Sequence, residues 1–177
     1  MFFTRSAPCA AVLALAFAAT TLPAPAATPL AVQLGVQFPT HESARNAGGS
    51  TQTDLGVTYD LLSAPVVPVQ AMLQVDDAFG THAGGRLNVL SAGAAARLTT
   101  PLYAGAGVSV YNVNARPGYA GATNVSSTGI GENFFVGDRF LTLPAGIDFS
   151  LQATYEQIPQ FGGIDASSLG VGLRVHL

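Results

Sequence analysis

The segment Ser168-Leu169-Gly170-Val171-Gly172-Leu173-Arg174-Val175-His176-Leu177 is the strongest constraint on the fold. Apolar side chains stand at 169, 171, 173, 175 and 177, with serine, glycine, arginine and histidine between them. Successive side chains of a strand point to opposite sides of a sheet. One face of this strand is therefore wholly apolar and the other small or polar. Such a strand needs a partner on each edge and an apolar phase against its greasy side.

Seven earlier segments repeat the pattern. At 30–38, Leu30, Val32, Leu34, Val36 and Phe38 oppose Ala31, Gln33, Gly35 and Gln37. The same alternation predicts strands at 53–62, 66–76, 86–98, 102–112, 129–138 and 146–157, before the last at 168–177. The alanines at 92–96 also suit a helix, and Glu132 interrupts the apolar face of the sixth segment. Between the segments, 39–52, 77–85, 113–128 and 158–167 read as long polar loops. Short turns are predicted at 63–65, 99–101 and 139–145, each with a proline at or next to its last position. Long and short connections thus alternate, and both ends of the strand array fall on the short-turn side.

A soluble sandwich would share the alternation, so the polar face has to discriminate. Water-facing strand positions are rich in Lys, Glu and Arg. Here they are mainly Gly, Gln, Ser, Thr and Asn. Only 10% of the residues are charged and no lysine occurs, where a soluble chain carries roughly 25%. Beyond the N-terminal region no apolar run approaches the ~18 residues of a membrane helix. Strands of about ten residues match a tilted membrane-spanning β-strand, and small polar residues suit the cramped lumen of an eight-stranded barrel. In hydrocarbon every backbone group must be paired within the protein, so the last strand must close on the first. The expected fold is all-β: an eight-stranded antiparallel up-and-down transmembrane β-barrel over 28–177. A soluble exported β-domain is the lesser reading.

Residues 1–27 read as a secretory signal peptide. Arg5 supplies the positive n-region, 10–21 is an apolar h-region, and Ala24-Pro25-Ala26 is a small-x-small cleavage site. Cys9, the one cysteine, precedes the h-region, so it is no lipoprotein cysteine and no disulfide is expected after cleavage. The net charge of −3 and the lack of a basic patch argue against nucleic acid.

With these strands and connections, 28–177 resembles the eight-stranded outer-membrane barrel superfamily that includes the OmpA transmembrane domain and the OmpX and OmpW proteins. The likeness is one of architecture. Its most specific part is Gly172-Leu173-Arg174-Val175-His176-Leu177, similar to the C-terminal signal read by the outer-membrane insertion machinery. Gly172, Val175 and Leu177 fit, with Leu177 where Phe or Trp is commoner. The resemblance implies residence in the bacterial outer membrane and contact with its lipid and with that machinery; with the last strand ending at Leu177, no peptidoglycan-binding domain is expected to follow.

On this topology Asp54, Asp60, Arg97, Asp148, Glu156 and Arg174 point into the lumen. An unpaired charge there is costly, so Arg97 and Arg174 are expected to pair with some of the carboxylates. Tyr59, Tyr155, Phe38 and Phe149 are candidate interfacial aromatics. No catalytic set is expected. His41 and His82 lie in predicted outer loops without a serine at a compelling spacing, and His176 faces the lumen at the short-turn end. Asp76-Asp77 is a single acidic pair in a predicted loop, too little for a calcium site. Gly105-Ala106-Gly107 and Gly129-Ile130-Gly131 are no nucleotide fingerprints, because no helix follows them. No cofactor or metal is expected. Two functions fit: a structural or surface-interaction barrel with four external loops that engage a surface ligand, or a narrow pore or small-molecule transporter. Eight strands leave too little lumen for a wide porin.

Overall fold

The computed structural model describes residues 29–63, 68–116, 118, 123–144 and 146–177. The expected leader at 1–27 and most of the turn at 63–65 lie outside them. Eight strands follow in order: β1 (Leu30–Pro39), β2 (Gln52–Ser63), β3 (Val69–His82), β4 (Gly85–Leu98), β5 (Leu102–Arg116), β6 (Val125–Thr142), β7 (Asp148–Gln157) and β8 (Ser168–His176). One short helix, α1 (Glu42–Gly48), sits between β1 and β2.

Each strand pairs antiparallel with its neighbour, and β8 returns to β1 to close the barrel. At the seam Val32 stands opposite Val175, Leu34 opposite Leu173 and Gly35 opposite Gly172. Closure leaves no strand edge, as an apolar solvent demands. Alternation then sorts the two faces. Leu34, Leu102, Ile130 and Leu173 point outward, exposing between 42% and 66% of their surface, while Gln37, Asp54, Ser109, Asn133 and Gln152 are buried within. A polar interior wrapped in apolar side chains is the reverse of a soluble domain, and suits hydrocarbon outside. Phe38 and Tyr155, both neighbours of Leu169, ring the loop end, while Tyr59 and Phe149 lie at the turn end.

Three connections differ from expectation. The segment 77–85 is no loop: β3 and β4 run on to a two-residue turn at Ala83 and Gly84, with φ of 48° and 83°. Positive φ at both central residues matches the twist of a tight hairpin. The segment 113–128 is mostly strand as well, leaving a connection only between Arg116 and Val125. In both places the outward residues become polar because the strand has risen past the apolar band, so their polarity mimics that of a loop. Val113, Ala115, Ala78 and Leu87 keep the inward alternation and are buried. At the other end β6 continues to Thr142, with a register shift between Arg139 and Leu141, so Arg139 belongs to a strand.

Candidate functional site

The barrel interior gathers the polar and charged residues, in three storeys. The loop end is apolar. Ala44 and Ala47 of α1 are fully buried against Leu87, Val89, Tyr111, Val113 and Ala78. Two glycines permit this approach. A Cβ on Gly48 would lie 2.6 Å from the Leu87 Cβ, and one on Gly80 would lie 2.3 Å from the Gly48 carbonyl oxygen. Ile158, Ile164 and Ala166 of the β7–β8 connection complete the plug.

That plug is tied down by polar contacts between its two loops. His41 Nε2 lies 3.2 Å from Asp165 Oδ2, and the Asp165 amide donates to Ser43 Oγ at 3.1 Å. The Thr40 amide and hydroxyl both donate to the Ser167 carbonyl at 2.9 Å. The partner of His41 comes from 124 positions downstream, brought near by barrel closure.

The middle storey is a network of amides, hydroxyls and carboxylates. Gln33 and Gln37 donate to the two Asp54 oxygens, each at 3.2 Å. Ser168 Oγ donates to Gln37 Oε1 at 2.9 Å and lies 3.4 Å from Glu156 Oε2. Gln152 donates to Gln33 at 3.0 Å, and Tyr103 OH donates to Gln152 at 3.1 Å. Asp76 faces the same space; a Cβ on Gly56 opposite would sit 2.2 Å from its Oδ1, so glycine there makes room for the carboxylate. The open volume between Asp54, Asp76, Glu156, Gln152 and Arg174 is about 20 Å³, little more than a single water requires.

The turn end centres on Asp60. Its Oδ2 accepts from Arg97 Nη2 at 3.1 Å and lies 2.9 Å from His176 Nε2. Arg174 Nη2 is 3.9 Å from Oδ1 and donates to Thr58 Oγ1 at 2.7 Å. Arg97 also donates through Nε to Gln70 at 2.8 Å and lies over the Tyr103 ring at 5.6 Å. The Asp60 and Arg174 side chains are 3% and 2% exposed, so a missing partner on either would leave a buried charge in deficit.

Of the six predicted lumen charges, the structure thus brings Asp60, Arg97 and Arg174 into one cluster. Asp54 and Glu156 lie apart from it in the middle storey. Asp148 is at the rim, where Arg139 Nε is 3.4 Å away and Thr142 donates at 2.6 Å. Gly172 lines the interior seam, while Val175 and Leu177 belong to the outward face. Two partners stand outside the predicted lumen set: Asp76, the last residue of the predicted third strand, faces the interior, and Arg139, placed by the sequence reading in a connection, is an exposed strand residue that meets Asp148 at the rim. Asp76 and Asp77 cannot share a cation: as strand neighbours they point to opposite faces, and Asp77 accepts from Asn88 outside. Among the described residues no group of three or more His, Cys, Asp or Glu is placed to hold a metal.

The arrangement can neutralise, brace and block. Cationic groups close the turn end, an apolar plug closes the loop end, and the carboxylates between them meet amides and hydroxyls. No protein-family model matches the sequence, and no curated protein matches it. Among solved structures, Neisserial surface protein A (NspA) is similar, with a TM-score of 0.59 and 17% identity over 86% of this chain and 100% of that chain. At that identity the likeness is one of fold: the chain is an eight-stranded antiparallel closed barrel of the kind seen in NspA.

Proposed function

We propose that the protein is an exported barrel of the bacterial outer membrane, acting as a closed structural or surface-interaction protein rather than a channel, and without catalytic activity. The observation that carries this reading is the blocked lumen. A solute entering at the loop end meets α1 and its apolar contacts; one entering at the turn end meets the Asp60, Arg97 and Arg174 cluster. Residence in that membrane is supported by the outward apolar band, the closed antiparallel sheet and the fold shared with NspA, a Neisserial surface protein. The lipid partner contacts the outward face, and the insertion machinery reads Gly172, Val175 and Leu177 at the end of β8. The exposed residues of the connections at 40–51 and 158–167 are the surface offered to a ligand; the β3–β4 hairpin adds a tight tip in place of a predicted loop.

The test is single-channel recording of the purified full-length protein in planar bilayers. Folding is checked beforehand by heat-modifiable gel migration. We expect the folded form to migrate differently from the boiled form and to give no discrete conductance steps. Regular steps from the folded form would assign the protein to narrow pores instead. Absence of any heat-dependent shift in membrane-extracted protein would remove the membrane-barrel reading itself.

A further inference from the structure

The outer wall of β4, β5 and β6 changes character in regular steps. Register places Ala92, Val110 and Ile130 in one row, then Leu90, Asn112 and Thr128, then Asn88, Asn114 and Ser126. The next row sets Arg86 directly opposite Arg116. Apolar residues thus give way to amides and hydroxyls, and these to two arginines. The polar rows are linked: Asn112 donates to Thr128 Oγ1 at 2.9 Å, and Ser126 donates to Asn114 Oδ1 at 2.8 Å. Four residues separate Leu90 from Arg86. With a rise of ~3.3 Å per residue and a tilt near 40°, the arginines stand roughly 10 Å above the apolar band.

Like charges directly opposite in a sheet repel. Both arginines are exposed, and neither forms an ion pair among the described residues. The acid on this wall nearest in register, Asp77, sits beside Leu90 and accepts from Asn88. Arg86, Arg116, Asn88, Asn114 and Ser126 line a surface concavity of about 400 Å³. An anion bridging the two guanidinium groups would convert repulsion into paired charge-assisted hydrogen bonds. Its lining residues Arg86, Asn88, Asn114, Arg116 and Ser126 stand in the outward register rows that continue the apolar strip of Ala92, Val110 and Ile130, so the fitting partner lies beside the barrel wall.

We infer that Arg86 and Arg116, with the amide and hydroxyl rows beneath them, bind the phosphorylated sugar headgroup of an outer-leaflet glycolipid. The inference rests on the outer-membrane reading above. Acyl chains lie against Val110 and Ile130, sugar hydroxyls meet Asn112, Asn114, Ser126 and Thr128, and a phosphate is shared by the arginines. The chemistry is bidentate guanidinium to phosphate, which lysine reproduces only as a point charge.

The test measures retention of lipid A by the full-length protein in detergent micelles, using native mass spectrometry. Wild type, R86Q/R116Q and R86K/R116K are compared, each first shown to be folded by heat-modifiable migration. Wild type should retain bis-phosphorylated lipid A. R86Q/R116Q should lose about tenfold in apparent affinity, and R86K/R116K should fall between them. Lipid A stripped of phosphate should bind wild type no better than it binds R86Q/R116Q. Equal retention of phosphorylated lipid A by wild type and R86Q/R116Q, or stripped lipid binding wild type as tightly as phosphorylated lipid does, would overturn the inference. Complete displacement by inorganic phosphate alone would assign the arginines to a free anion and overturn it too. A heat-modifiable protein that fails these arms sinks this inference only. A protein with no heat-modifiable form sinks the barrel reading first.

Discussion

Asp60 shows what a single residue does in this lumen. One carboxylate answers Arg97 at 3.1 Å, Arg174 at 3.9 Å and His176 at 2.9 Å, and its own side chain is 3% exposed. Removing it leaves two guanidinium groups without a counter-charge. We expect D60A to destabilise the folded barrel by about 3–5 kcal/mol, the range for breaking one side of a buried pair. D60N, which keeps one acceptor oxygen, should cost less. Urea titration in micelles, followed by the loss of the heat-modifiable band, reads both. A D60A barrel as stable as wild type would mean that water or ions already screen the cluster. Alternation alone was enough to turn Asp60, Arg97 and Arg174 inward. It could not say that Asp60 rather than Asp54 meets them. That choice depends on the heights of three strands, which the stagger of the whole sheet sets.

At the scale of elements, α1 is the piece that periodicity did not foresee. The segment 39–52 is short, polar and glycine-rich, and reads as a solvated loop. Its two buried alanines find an apolar surface only because β3, β4 and β5 rise above the band and turn Ala78, Leu87, Val113 and Ala115 inward. The helix fits because Gly48 and Gly80 present no side chain where the backbones meet. G80V should therefore push α1 off the barrel mouth at a cost of about 1–3 kcal/mol, typical of overpacking. Hydrogen exchange at 43–48 should accelerate while the amides of β1 and β8 stay protected. Unchanged exchange at 43–48 would show that the plug is held by the His41, Ser43 and Thr40 contacts alone. The β3–β4 hairpin teaches the complementary lesson. Polarity on an outward face signals water outside, which a strand above a membrane meets as readily as a loop does.

For the whole molecule, the decisive property is that its apolar face points out. Leu34 and Leu173 stand opposite each other at the β1–β8 seam, 59% and 42% exposed. In a water-soluble protein an arginine at either place would be nearly neutral. Facing hydrocarbon, L34R should cost about 2–4 kcal/mol, the penalty for arginine near the bilayer midplane. Equilibrium unfolding in phospholipid vesicles checks it, and a change below ~0.5 kcal/mol would contradict a lipid-facing seam. The same inversion explains why a small barrel tolerates so many glycines inside. The lumen of an eight-stranded sheet is just wide enough for side chains to fill, and Gly35 against Gly172 leaves space that Gln33 uses.

The amino-acid sequence by itself determined the period of two, the sorting of each strand into an apolar and a polar face, the number of strands and their antiparallel order. These are local properties, carried by neighbouring residues and by short connections. Tertiary structure alone decided which lumen charges meet, that α1 fills the mouth, and that Arg86 stands beside Arg116 on the outer wall. Those contacts join residues whose relative heights follow from register, tilt and closure summed around the barrel, and no stretch of the chain encodes that sum.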